Sequence, residues 1–209
     1  MRFIDHTEAG QLLGQRLASL KLERPVVLAI PPSGARIGHE IARQLRGPMD
    51  VLVVRDITIP GRGECPLGVV VDGAFYPDEP ACCREGVTRE YARMLAWPEQ
   101  GKEERWERVV RHNRPPLDLE GRTAIVVSDV ELSADQLLAV RDGLRERRVG
   151  QVVHVAVFAR SEPEARTDYL PTITLFSPAE SRSVMLVNAG YQQTTENEIA
   201  ELLMTTAGA

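Results

Sequence analysis

Histidine and cysteine are the side chains with the broadest chemical repertoire, and this chain of 209 residues has four of one and three of the other. His6, His39, His112 and His154 form no metal-ligand pair by spacing. His39 lies in an early helical pattern and is expected to be exposed. His154 lies within a strand pattern and reads as a satisfied sheet residue. Cys65, Cys82 and Cys83 contain no C-x-x-C pair, and an odd count with two adjacent fits no disulfide framework. Cys82-Cys83 is expected in an irregular, exposed segment. No G-x-S-x-G, P-loop or G-x-G-x-x-G occurs. Ser133-x-x-Gln136 does have a mechanism. A serine hydroxyl at a helix N-cap and a glutamine three residues on can satisfy each other's backbone N–H groups, and Asp135 between them complements the helix dipole. Thr195-x-x-Glu198 repeats the pattern ahead of Ile199, Leu202 and Leu203.

These residues are held by an alternation of short apolar runs and amphipathic stretches. Thr7 to Leu20 spaces Leu12, Leu13, Leu17 and Leu20 as a helix. Val26 to Ile30 reads as a buried strand, Pro31-Pro32-Ser33-Gly34 as a turn, and the stretch from Ala35 to Leu45 as a helix stopped by Gly47-Pro48. Val51 to Val54 is a second strand and Thr123 to Val127 a third strong one. Val152 to Phe158 and Thr172 to Leu175 are further strands. A helix over Leu137 to Arg148 and a short one over Pro163 to Tyr169 separate them. Pro60-Gly61-Arg62-Gly63-Glu64 reads as a mobile loop. Leu67 to Val71 with Phe75-Tyr76 reads as a hairpin around Asp72-Gly73. Arg84 to His112 is a charged, peripheral helical region that Pro98 is expected to break or kink. Strands alternating with helices predict one α/β domain over 1–209. Its doubly wound, mainly parallel sheet has helices on both faces, with a peripheral segment at about 56–115. Ligands bind such sheets at the carboxyl ends of the strands.

Composition narrows the function. A hydrophobic fraction of 43% and a charged fraction of 26% are those of a globular chain. A net charge of −5 argues against broad nucleic-acid binding. Only Lys21 and Lys102 are lysines, so arginine carries nearly all the positive charge. No apolar run approaches the ~18–20 residues of a membrane span, and Met1 to Asp5 is too polar for a signal peptide. The expected location is the cytoplasm.

The run Ala124-Ile125-Val126-Val127-Ser128-Asp129-Val130-Glu131-Leu132-Ser133-Ala134-Asp135-Gln136 resembles the central motif of the type I phosphoribosyltransferases. The likeness is strongest to a bacterial branch of about this length. It covers nearly the whole chain, from Phe3-x-Asp5 with Ala9-Gly10 to Thr195-x-x-Glu198. The family moves ribose 5-phosphate from phosphoribosyl pyrophosphate (PRPP) to a nitrogen nucleophile, usually a nucleobase. Its motif is an apolar strand, two acids for the ribose hydroxyls, and a loop of small residues whose N–H groups cradle the 5-phosphate.

Here the motif departs from the pattern. Asp129 matches the second acid, but Ser128 replaces the first. Val130 and Ala134 replace glycines, and Ser133 keeps a hydroxyl where the family has threonine. Asp135 and Gln136 fall where the phosphate would be met. At ~4 Å and an effective dielectric near 20, each like-charge pair between Asp135 and a phosphate costs roughly 4 kcal/mol. The pyrophosphate loop keeps Ser33 and Gly34 but has Pro32 at the arginine position, with Arg36 near enough to act as the cation. After the second strand, Arg55-Asp56 stands for Arg-Lys. Glu64…Gly68 keeps the spacing of the flexible loop. Val187 and Asn188 replace two aromatics, with Tyr191 nearby.

The resemblance implies a phosphoribosyltransferase-like protein that has lost ordinary PRPP-dependent transfer. It would bind another small phosphorylated ligand or act in regulation. The alternative is an active transferase with a rearranged site. Asp129 would then hold the ribose beside Mg²⁺, Ser133 and Gln136 the phosphate, and Arg36 and Arg55 the pyrophosphate. A third reading is a structural partner, such as one arm of a homodimer.

Overall fold

A computed structural model describes residues 2–62, 65–160, 170–181, 184–187 and 194–206. The expected helix at Pro163 to Tyr169, Gly63 and Glu64 of the loop, and Asn188 and Tyr191 lie outside these residues, as does the side chain of Val187.

Five parallel strands form the centre, in the order β3 (Met49–Val51), β2 (Pro25–Ala29), β7 (Thr123–Val130), β8 (Gln151–Phe158) and β9 (Thr172–Phe176). Alternation along the strands decides which layer each residue joins. Val27, Ala29, Ile125, Val127, Val153 and Val155 pack against helices α1 (His6–Ala18), α2 (Ser33–Leu45) and α7 (Glu196–Thr206). Val26, Leu28, Ala124 and Val126 face α5 (Ala134–Glu146) through Leu137, Val140 and Leu144. Both faces are therefore covered, as the near-continuous apolar runs require. A short parallel pair, β1 (Arg2–Asp5) with β10 (Val184–Val187), stands apart, and α6 (Pro178–Ser181) precedes β10.

The run Val51 to Val54 is divided rather than one strand. Val51 ends β3, the Leu52 N–H reaches the Ala29 carbonyl at 2.9 Å, and Val54 opens β4 (Val54–Ile57) in a second sheet. That sheet is antiparallel, β4-β5-β6, with β5 at Gly68–Val71 and β6 at Ala74–Pro77. Its hairpin turns at Asp72-Gly73, both in the left-handed region (φ 50 and 79). Helices α3 (Glu79–Glu85) and α4 (Arg89–Val110) cover it.

Two local expectations are corrected here. Pro98 does not interrupt α4. The carbonyl it leaves without a helical partner is that of Met94, which is 70% exposed and can take its hydrogen bond from water. Cys82 and Cys83 are helical, not irregular. Asp78 caps α3 by accepting from the Ala81 N–H at 3.1 Å, which turns Cys82 inward and leaves Cys83 exposed.

The outer layer is tied to the core by buried charge. Arg111, at the end of α4, donates to Asp50 Oδ1 at 2.8 Å, to Glu107 Oε2 at 2.6 Å and to the Val51 carbonyl at 3.2 Å. Asp50 Oδ2 also accepts the Leu117 N–H at 3.0 Å. Arg147, from α5's end, holds Asp72 at 2.7 Å. Replacing Arg111 by methionine leaves Asp50 and Glu107 buried without their cation. The expected loss is roughly 3–5 kcal/mol in urea denaturation at neutral pH.

Candidate functional site

The carboxyl ends of β2 and β7 lie side by side, and each leads through a short loop into a helix. Gly34, in the first turn of α2, makes this possible. A Cβ there would stand 2.5 Å from the Val127 carbonyl oxygen, and the Gly34 N–H already bonds to Ile30 O at 3.0 Å. Gly34 is thus explained by close approach of α2 to β7. It carries Ser33 to the edge where Ser128 and Asp129 emerge.

β7 continues through Ser128, Asp129 and Val130, three residues beyond the apolar run. Ser128 is buried, and its hydroxyl is committed. It donates to the Val130 carbonyl at 2.6 Å and lies 3.0 Å from His154 Nε2 on β8. Burial alone holds His154 down at about 4, so the ring is neutral. With the Ser128 proton on Val130, the pairing is satisfied by His154 Nε2–H donating to Ser128. His154 Nδ1 lies 3.4 Å from Thr172 Oγ1. His154 is thus the satisfied sheet residue its position implied. His39, by contrast, is half-buried, with Nε2 3.0 Å from Thr205 Oγ1. Asp129 remains half-buried, and its Oδ1 accepts the Val130 N–H at 3.0 Å.

The capping box at the start of α5 is present in full. Ser133 Oγ accepts the Gln136 N–H at 3.2 Å, and Gln136 Oε1 accepts the Ser133 N–H at 3.0 Å. Gln136 Nε2 then reaches across to Asp56, at 3.1 and 3.2 Å from its two oxygens. Burial raises the Asp56 carboxyl, against the Gln136 bond and the charge of Arg160. Asp135 is exposed on the flank of α5 and lines a cleft of about 610 Å³ with Tyr76, Asp78 and Asp142. The carboxylate that meets Gln136 is therefore Asp56, with Asp135 to its side.

Ser33, Gly34, Asp129, Ser133 and Gln136 gather at this edge. Arg36 and Arg55 are directed elsewhere. Arg36 donates to Thr194 Oγ1 at 3.2 Å and to Glu198 at 2.9 Å, tying α2 to α7. On β4 the side chains alternate, so Asp56 faces α5 while Arg55 faces α4, where it meets Glu99 at 3.1 Å and Glu103 at 3.5 Å. As to Mg²⁺, Ser128 has its hydroxyl turned inward, and no cluster of three His, Cys, Asp or Glu among the described residues could hold a metal. These side chains do not fit a protein-held ion.

A second cleft, of about 410 Å³, opens between α4, the start of α7 and the β3–β4 link. Val53, Arg55, Lys102, Glu103, Arg105, Trp106, Val109 and Glu196 line it. Glu103 is only 2% exposed, and neither of its oxygens has a hydrogen bond of acceptable geometry. Burial pushes its carboxyl up to about 7. Arg55 opposes the rise, Glu107 adds to it, the Gly73 amide opposes it and Glu99 adds. Nothing in the motif pointed to Glu103. The one signal available was a glutamate on the inward stripe of a charged helix.

Comparison with known proteins agrees with this architecture. A family model described as the phosphoribosyl transferase domain matches residues 5–184. Sequences from two Mycobacterium tuberculosis strains, CDC 1551 and H37Rv, each provisionally named a phosphoribosyl transferase, are 29% identical over 212 residues. The alignment covers 96% of this chain and 46% of theirs, so the chain spans about half the length of these curated relatives. A crystal structure of Thermus thermophilus TT1426 superposes over 100% of both chains with a TM-score of 0.79 at 27% identity. A Neisseria gonorrhoeae protein called hypothetical, solved with bound ppGpp, superposes over 96% of this chain and 92% of its own. At 11% identity and a TM-score of 0.51 it shows the fold alone.

Two stability predictions follow from the geometry. Gly34→Ala forces α2 away from β7 and is expected to cost about 1–3 kcal/mol, read as a lowered Tm. Glu103 has its carboxyl raised from 4.5 to about 7 in the folded chain. The stability of that protonated form is complete below pH 4.5 and is lost as pH rises to about 7. Glu103→Gln removes the loss. The variant should match the parent at pH 4.5 and exceed it by on the order of 2 kcal/mol at pH 8. Parallel stability curves from pH 4.5 to pH 8 would contradict it.

Proposed function

The chain belongs to the phosphoribosyl transferase domain family, and from that premise we propose that it is a divergent member that does not carry out ordinary PRPP-dependent transfer. It keeps the carboxyl edge of its sheet for a different small ligand, met through Asp129 rather than through a phosphate. The observation that carries this is the closed capping box. The Ser133 and Gln136 N–H groups, which a phosphate cradle would present to its anion, already have acceptors in each other's side chains. Gln136 in turn holds Asp56, so a carboxylate rests where a phosphate would want a cation. The other changes support the same reading. Ser128 turns its hydroxyl inward, and the arginines nearest the family's pyrophosphate positions pair with Glu198 and Glu99. Asp129 is the acid left at the edge to accept from a ligand hydroxyl.

Titration calorimetry with PRPP and Mg²⁺ tests it. The unaltered chain should show no saturable binding tighter than ~1 mM. Asp56→Lys with Ala134→Gly and Asp135→Thr should gain at least about tenfold, the removal of one like-charge contact in screened surroundings. Binding by the unaltered chain below ~1 mM, or PRPP consumption with a nucleobase, overturns the proposal.

A further inference from the structure

Helix α4 buries one side and leaves the other uncovered. Ala92, Ala96, Glu103, Glu107 and Val110 face inward. On the outer side, Tyr91, Met94, Trp97 and Val109 are 40%, 70%, 79% and 56% exposed. Apolar residues exposed singly need no explanation, but these share one helix and include a tryptophan with little cover. Beside Trp97 on the outer side stands Gly101, where a Cβ would meet nothing within 4 Å. After proline, glycine is the costliest residue in an exposed helix interior. No close neighbour in this chain requires it there. A body outside the chain would account for both the tryptophan and the notch.

The charges on that side decide which body. Glu90, Arg93, Trp97, Gly101, Glu104 and Arg108 follow one another at steps of three or four residues, so they form one stripe along the helix. From the N-terminus it reads acid, base, tryptophan, notch, acid, base. Turned end for end it reads base, acid, notch, tryptophan, base, acid. The stripe is thus its own complement. In an antiparallel pair centred between Trp97 and Gly101, Glu90 meets the partner's Arg108. Arg93 meets the partner's Glu104, and Trp97 meets the partner's Gly101. Each contact occurs twice, as a two-fold axis requires. A parallel pair would set every charge against its like. Met94 falls against the aliphatic stem of the partner's Arg105. Two cations beside the stripe are engaged within the chain: Arg89 lies 3.4 Å from Glu79, and Lys102 lies 2.6 Å from Glu99. We infer that this face of α4 docks a second copy of the chain, α4 against α4 in antiparallel register, with Trp97 in the partner's Gly101 notch. The exposed ion pairs set the register, and Trp97 and Met94 supply the affinity by leaving water. None of these residues belongs to the carboxyl edge of β7, so the inference does not rest on the reading of that edge.

Sedimentation velocity of the whole chain tests it. A concentration-dependent dimer should be present at ~100 μM, because an interface of modest area can still reach a micromolar Kd. Trp97→Ala and Gly101→Leu should each weaken the dimer about tenfold or more, the scale of an interface anchor, without lowering the Tm of the dilute monomer. Glu90→Arg sets cation against cation twice per dimer, and Arg108→Glu sets acid against acid twice. Each of these variants alone should dimerise about fivefold or more weakly than the parent. An equimolar mixture of the two restores both pairs and should dimerise close to the parent's strength. Weakening alone with recovery on mixing is the signature of the antiparallel register. In a parallel pair the single variants would match the parent, which overturns the proposal. A chain that stays monomeric at ~100 μM leaves the face to some other partner and overturns it too. So does a dimer untouched by Trp97→Ala and Gly101→Leu, which would use another surface, and so does a mixture no stronger than its components.

Discussion

The guanidinium of Arg111 is the point at which the outer layer of this protein is fastened to its sheet. One side chain joins three parts of the chain. Asp50 belongs to the edge strand β3, Glu107 lies a turn back on α4, and Asp72 Oδ1, at 4.0 Å, belongs to the hairpin of the small sheet. A buried ion cluster repays its desolvation only when the geometry is good and the remaining oxygens are satisfied. Asp50 meets that condition with the Leu117 N–H, and Asp72 with Arg147, whereas Glu107 Oε1 is buried without a hydrogen bond. The small sheet is thereby set against α5 on one side and α4 on the other. The period-two alternation of β4 then does the rest, turning Asp56 to Gln136 and Arg55 to Glu103. The cleft beside α4 takes Arg55 from that register.

The start of α5 is governed by a second constraint. The first N–H groups of a helix have no partner inside it, and something must accept from them. In a phosphoribosyltransferase scaffold that acceptor is the substrate's phosphate. In this chain the acceptors are Ser133 Oγ and Gln136 Oε1, with Asp135 adding charge at the same helix end. The loop is therefore complete without a ligand. Restoring a single glycine would leave both internal acceptors and the Asp56 carboxylate in place, so the altered residues have to be considered as a set.

The central sheet and its helices were legible because strands buried on both faces read as unbroken apolar runs, and the helices between them have clear stops. Both capping boxes were legible for a different reason: they are local, with donor and acceptor three residues apart. What could not be read depends on partners far along the chain. The division of Val51 to Val54 between two sheets rests on pairing with Ala29 and Val71, not on any property of the run itself. The destinations of Arg36 and Arg55 are 162 and 44 residues away in sequence. The likeness to a family suggested anionic ligands for both, whereas the fold supplies carboxylates. The inward turn of Ser128 required knowing that His154 stands opposite Val126 in register, beside the end of β7.

Taken together, the charges have exchanged places relative to what the family scaffold would use. Beside the carboxyl edge of β2 and β7 stands Asp56 on Gln136, while the two candidate arginines are held by α7 and α4. Lys102, paired with Glu99 at 2.6 Å, and Arg105 line the cleft at α4, where the inward group is instead the acid Glu103. A fold whose outer layer is fixed by Arg111 can hold a poorly solvated carboxylate at Glu103, because the helix carrying it cannot move away to hydrate it. The same rigidity keeps both Glu103 oxygens out of water.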